Sequence, residues 1–189
     1  MQHSLLIVSG QEQLEALVRR SLPDRKEIMV ELRKTGSKAR QALLERFFDL
    51  VLINAPLPDE TGVELALDTA EDSNAGILIL TPSDHAAEVM DRVSDRGILV
   101  MGKPLPHGGL GRALRLLTAL QNRLRSALEK VEKAEERLEE FKLVTRAKLL
   151  LMEHKSMTEA EAHKSILKQA MDSGLSRRRL AESIIDELE

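Results

Sequence analysis

The chain has 189 residues, which suits one or two domains, and its 42% hydrophobic content is enough to build a core. It has no cysteine, which removes disulfides, thiol catalysis and Cys-ligated zinc. Its three aromatic residues (Phe47, Phe48 and Phe141) are too few for the stacking platforms of sequence-tolerant single-strand binders. The net charge of −3 does not by itself suggest nucleic acid; no apolar run approaches the roughly 20 residues of a membrane span, and MQHSLLIVSG carries no signal-peptide pattern, so a cytoplasmic protein is expected.

Residues 1–109 alternate short apolar runs with helical patterns. LLIV (Leu5–Val8) is followed by Gly10 and the helical spacing Leu14, Leu17, Val18. A weaker strand is expected at Ile28–Leu32. DLVLIN (Asp49–Asn54) precedes a Pro-rich loop and the stretch Val63, Leu65, Ala66. ILIL (Ile77–Leu80) precedes TPSD and Ala86–Val93, and ILVM (Ile98–Met101) precedes GKPL. Continuous apolar runs suit parallel strands covered on both faces, and their alternation with helices predicts an α/β doubly wound parallel sheet.

From Leu110 the period changes. Leu117, Leu124, Val131 and Leu138 recur every seven residues, with Leu120, Ala127, Ala134 and Phe141 three later in each heptad. This is an a/d seam. A helix from Leu110 to about Glu153 would run roughly 66 Å. Alone it would leave the seam in water, so a parallel homodimer through residues 110–141 is the expectation; packing of the seam within the chain is the other solution. Lys148 falls at a d position and is a poor core residue, so the heptad should end near Phe141.

Residues 142–189 continue this helix and add two short ones, an all-α three-helix unit. Thr158-Glu159-Ala160-Glu161 reads as a capping box and Ser173-Gly174 as a helix end, and Ser176 can cap the last helix. Met152, Met157 and Met171 are expected in its core. Between Lys142 and Arg179 there are nine Lys and Arg against four acids, a local surplus suited to phosphate. Arg177, Arg178 and Arg179 open a helix, where the dipole disfavours cations and free N–H groups suit an anion. His154 and His163 have no partner at metal-ligand spacing, so no metal and no cofactor are expected.

The first region resembles the receiver domain of response regulators, a flavodoxin-like fold, over about residues 3–120. Thr81 after ILIL, Lys103 before Pro104, and the loop Pro56, Pro58-Asp59, Gly62 match that family. The resemblance implies an acidic pair holding Mg²⁺ and an Asp accepting a phosphoryl group. Here those positions are Ser9, Gly10 and Asn54. An amide cannot form an acyl phosphate, and the metal lacks its anionic ligands. Asp49 and Asp59 are the nearest acids, but neither falls at the strand end. A pseudo-receiver is expected, with Thr81 a relic pairing with loop backbone, Lys103 a solvated relic, and a partner protein or ligand as possible input.

Val144–Ile185 resembles the ANTAR family in order and spacing: Ala147-Lys148, Leu149–Leu151 and Met152; Met157–Ala162; His163 where an aromatic is common; Leu167-Lys168-Gln169-Ala170-Met171; and Arg177–Arg179 with Ala181. That family implies a three-helix module binding RNA hairpin loops in nascent transcripts so that a terminator does not form. The candidate RNA-binding residues are Arg146, Lys148, Lys155, His163, Lys168, Gln169, Arg177, Arg178 and Arg179. A DNA-binding response regulator and a coiled-coil signalling adaptor that binds only protein are the competing readings. No nucleophile–base pair or phosphate loop suggests an enzyme.

Overall fold

The computed structural model describes residues 3–21 and 28–188. Five strands, β1 (His3–Val8), β2 (Ile28–Arg33), β3 (Leu50–Asn54), β4 (Gly76–Pro82) and β5 (Leu99–Lys103), form one parallel sheet in the order β2-β1-β3-β4-β5. Helices α1 (Gln13–Ser21), α2 (Gly36–Glu45), α3 (Val63–Asp72) and α4 (Ser83–Val93) connect them, and α5 (Gly109–Lys155) follows β5. The four apolar runs and the weaker one at residue 28 are all strands. β3 is buried along its whole length, as a central parallel strand covered on both faces must be.

Side chains alternate between two cores. On one face Leu6, Val8, Val51, Ile53, Ile77 and Ile79 pack with Ala39 and Ala42 of α2, Leu65 and Ala66 of α3, and Val89 and Val93 of α4. On the other, Leu5, Ile7, Leu52, Leu78 and Leu80 pack with Leu14 and Val18 of α1 and with Leu110, Ala113, Leu114 and Leu117 of α5. The first two turns of α5 thus seal the sheet. This corrects the seam: Leu117 is 6% exposed inside the core and is not available to a second copy. Beyond it Leu120, Leu124, Val131, Leu138 and Phe141 are exposed, as are Ala127 and Ala134.

Helix α2 carries no long apolar stripe. Thr35 caps it by accepting from the Lys38 N–H; only the small side chains of Ala39 and Ala42 are fully buried in the core, with Leu43 partly covered beside them, which leaves little periodicity to read. Asp59 holds its start, accepting from Gly36 N (2.9 Å), Ser37 N (3.0 Å) and Ser37 Oγ (2.8 Å). Asp49 lies at the opposite end of β3 from Asn54. It accepts from Ser4 N (2.8 Å) and Ser4 Oγ (3.0 Å) and pairs with Arg125. Both acids therefore have structural work, and neither stands at the carboxyl end of β3, which is Asn54.

The chain divides into two compact units, residues 1–125 and 126–189. In the second, the later turns of α5 pack with α6 (Glu159–Ser173) and α7 (Arg177–Leu188). Its core is Ala147, Leu151, Ala162, Ile166, Ala170, Leu180, Ala181 and Ile184. Ala147, Ala162 and Ala181 are wholly buried, small side chains that let the three helices approach closely. The capping box at Thr158–Glu161 forms as expected, and Gly174 ends α6 in the left-handed conformation (φ 67°). Ser176 caps α7, its Oγ accepting from Arg179 N at 3.3 Å. Met152 and Met157 join this core, but Met171 is 83% exposed, against expectation: Ala170, its neighbour, takes the inward position.

Candidate functional site

The receiver-like site sits where the strand order reverses, at the carboxyl ends of β1, β3, β4 and β5, the usual crevice of an open α/β sheet. Ser9, Asn54, Thr81 and Lys103 converge there, and the first three are buried. Asn54 Nδ2 donates to Ser9 Oγ (3.1 Å), and Ser9 Oγ also accepts from Gln11 N and donates to Gln11 O. Lys103 Nζ donates to Asn54 Oδ1 (2.9 Å) and to the Ala55 carbonyl (2.7 Å). Lys103 is therefore no solvated relic; its ammonium ties β5 to the end of β3, and partial burial pulls its pKa down.

A hard cation does not fit this constellation. Mg²⁺ wants carboxylate and water oxygens in octahedral array. Ser9 supplies a hydroxyl already engaged, and Asn54 an amide whose oxygen holds Lys103. A side chain at Gly10 would meet Pro58, whose Cγ lies 2.9 Å from the position a Cβ would take. The loop after β3 thus fills the space in which the second acid of the pair would stand.

The second unit carries the candidate RNA-binding residues. Arg146, Lys155, His163, Lys168, Gln169 and Arg177–Arg179 are exposed; Lys148 is partly buried. Several are held in place. Lys148 Nζ pairs with Glu159 at 2.7 Å, Arg177 with Glu140 at 2.9 Å and Arg178 with Glu182 at 3.0 Å. Gln169 Nε2 donates to Ser165 Oγ (2.9 Å). Lys148 draws the Glu159 carboxyl below its ordinary value. Lys148, His163 and Arg177, from α5, α6 and α7, line one cavity of about 270 Å³ with Arg137, Glu140, Phe141, Val144 and Thr145. Arg146, Lys155, Lys168, Gln169, Arg178 and Arg179 are not among its lining residues. Sequence reasoning placed Phe141 only in the seam. The missed signal was that Arg137, Phe141 and Lys148, at spacings of four and seven, share a face of one helix. Among the described residues no cluster of acids and histidines could hold a metal, and no helix is long and apolar enough to cross a membrane.

A three-helix unit following a receiver-type sheet defines a response regulator with a helical output module. Residues 132–185 match the ANTAR domain family. The transcriptional regulatory protein PdtaR of Mycobacterium tuberculosis is 32% identical over 141 residues, covering 74% of this chain and 68% of that protein. The chain belongs to the ANTAR-domain response regulators. The sheet domain is similar to solved receivers. One is the signal receiver domain of an HD domain-containing protein from Pseudomonas fluorescens Pf-5 (TM-score 0.57, 23% identity, 66% of this chain and 93% of that one). Another is the non-phosphorylated HemR receiver domain from Leptospira biflexa (TM-score 0.54, 25% identity, 61% and 94%).

Proposed function

We propose that this chain is a cytoplasmic transcription antitermination regulator. Its three-helix unit, residues 142–189, binds hairpin loops in nascent mRNA. Residues 1–109, sealed by the first turns of α5, act as a pseudo-receiver without a phosphoacceptor, and the remainder of residues 110–141 links the two. The observation that supports RNA binding most is the gathering of Lys148, His163 and Arg177 from three helices around one cavity, with Arg178 and Arg179 on the adjoining turn. Phosphate contacts of this kind position a nucleic acid, and loop bases supply specificity. Arg146, Lys155, Lys168 and Gln169 extend the contact surface.

The exposed stripe Leu120, Leu124, Val131 and Leu138 supports a homodimer through α5, since a soluble monomer gains nothing by displaying leucines at coiled-coil spacing. The seam begins after Leu117. The Ser9–Asn54–Lys103 network supports a domain that aspartyl phosphorylation does not switch, which leaves a partner protein or ligand as its input.

The test compares binding of a short-loop hairpin RNA with duplex DNA of the same stem sequence. Tighter hairpin binding is expected, with an affinity that falls steeply with salt; tighter duplex DNA binding overturns the reading in favour of a DNA-binding regulator. RNA captured with the protein from cells should be enriched in hairpins overlapping terminators. Acetyl phosphate or beryllofluoride should change neither RNA affinity nor dimerisation.

A further inference from the structure

We infer that the cavity floored by Phe141 is a base-capturing pocket: one unstacked nucleobase of the bound hairpin loop stacks on the Phe141 ring, and Arg137, Lys148 and Arg177 hold the phosphates on either side of it. The inference rests on the reading of this unit as an RNA binder.

Phe141 is the only aromatic side chain in the second unit. It is 68% exposed, although an apolar ring of that size gains from burial and its near neighbours Leu143 and Val144 pack against the unit's core. Its neighbours are not those of a core. Arg137 lies one turn before it on α5, Val144 and Thr145 one turn after, and Lys148 about two turns on. His163 of α6 and Arg177 of α7 close the other sides. The cavity, about 270 Å³, lies near the lower end of small-ligand pockets and suits a single planar base.

The cations around it are pre-positioned and not used up. Lys148 spends one of three ammonium donors on Glu159, and its side chain is only 17% exposed. Arg177 spends one of five guanidinium donors on Glu140. Each keeps donors for phosphate while its acid partner fixes its direction, so little side-chain freedom is lost on binding. The lining also narrows the choice of ligand. With Phe141 and Val144 on its wall among these charged groups, the cavity suits a flat apolar face flanked by phosphates. A nucleotide of a hairpin loop has both, its base being unpaired and free to splay outward. A base has a π-face whatever its identity, and stacking on an aromatic ring accounts for a large part of such contacts.

The test uses the full chain and short-loop hairpin RNAs carrying 2-aminopurine at each loop position in turn, with a matched set carrying one abasic site. Binding should quench one loop position selectively. Phe141→Ala should weaken hairpin binding roughly tenfold, and Phe141→Tyr should keep most of it. On the hairpin abasic at the quenched position, Phe141→Ala should cost little more, because the base and the ring act as one contact. Dimer mass in sedimentation and the circular dichroism spectrum should be unchanged by Phe141→Ala. If Lys148→Glu with Arg177→Glu abolishes binding while Phe141→Ala and the abasic loops are neutral, the base pocket is refuted and RNA binding stands. If Phe141→Ala turns a dimer into a monomer, the ring belongs to the seam and the inference fails. If no hairpin binds the wild-type chain, the reading of the unit itself fails.

Discussion

The bond between Asn54 and Lys103 decides whether the receiver-like site is a ruin or a structural joint. Replacing Asn54 with Ala removes the amide that accepts from the Lys103 ammonium at 2.9 Å and donates to Ser9 Oγ at 3.1 Å. The first is charge-assisted and contributes about 1.5–3 kcal/mol; the second is an ordinary bond of about 1 kcal/mol. Lys103 keeps the Ala55 carbonyl and Ser9 keeps Gln11, so both losses are partial, and about 2–3 kcal/mol in total is expected. Lys103→Met removes both bonds of the ammonium and leaves the Asn54 and Ala55 oxygens without that donor, so a cost of the same order is expected. Because the two residues touch, the double variant should fall short of the sum by about 1–2 kcal/mol. Urea unfolding should be followed on the methyl resonances of Ile53 and Ile79, which report the sheet domain alone; the second unit would blur a whole-chain signal. A single-variant cost below about 0.5 kcal/mol, or strict additivity, would mean that the bond contributes nothing and that Lys103 is solvated after all.

Three further outcomes follow from particular contacts. Leu117→Ala should destabilise the sheet domain by about 2–4 kcal/mol through the cavity it leaves, whereas Val131→Glu should leave unfolding unchanged and abolish self-association in sedimentation equilibrium. The Asp59 carboxyl is held at about 2, below its ordinary 3.8, mainly by the backbone N–H groups of Gly36 and Ser37 and the Ser37 hydroxyl. A depressed carboxyl stabilises above its unfolded value and loses that contribution as pH falls through the folded one, so wild type should lose stability relative to Asp59→Asn between about pH 4 and pH 2, read as the difference in urea midpoints. Thr158→Ala removes the hydroxyl half of the capping box and leaves the backbone N–H of residue 158 donating to the Glu161 carboxylate; it should cost about 1 kcal/mol, visible as faster hydrogen exchange at the Glu161 amide.

Strands were legible because parallel strands buried on both faces are written as unbroken apolar runs, and Leu5–Val8 and Ile77–Leu80 have no polar interruption. The caps at Thr158, Gly174 and Ser176 were legible because their chemistry is local. Helix α2 was not, since two alanines are its only fully buried side chains, Leu43 is partly covered, and Leu44 points outward at 90% exposure. The heptad was legible as a period but not as an allocation: Leu117 and Leu124 look alike in sequence, and only the distance to the sheet separates a core residue from an exposed one. The site had the same limit. Ser9, Asn54 and Lys103 could be placed by likeness to receivers, yet that they bond one another depends on bringing residues 45 and 49 positions apart together. The cavity around Phe141 needed three helices to meet.

The helix that closes the sheet is also the one that opens the three-helix unit, and this bears on how the chain can be dissected. A receiver fragment ended at residue 109, where pattern alone would cut it, loses Leu110, Leu114 and Leu117 from one face of its core. Burying each leucine contributes about 1.5–3 kcal/mol, so the cut forfeits roughly 5–9 kcal/mol, a sum on the scale of a whole domain's stability. Such a fragment should be insoluble when made alone. One ended after Arg125, which retains the pairing with Asp49, should be recovered folded. During synthesis the sheet likewise stays open on that side until residue 117 has left the ribosome, so the nascent domain depends for its last layer on the segment that begins the next one.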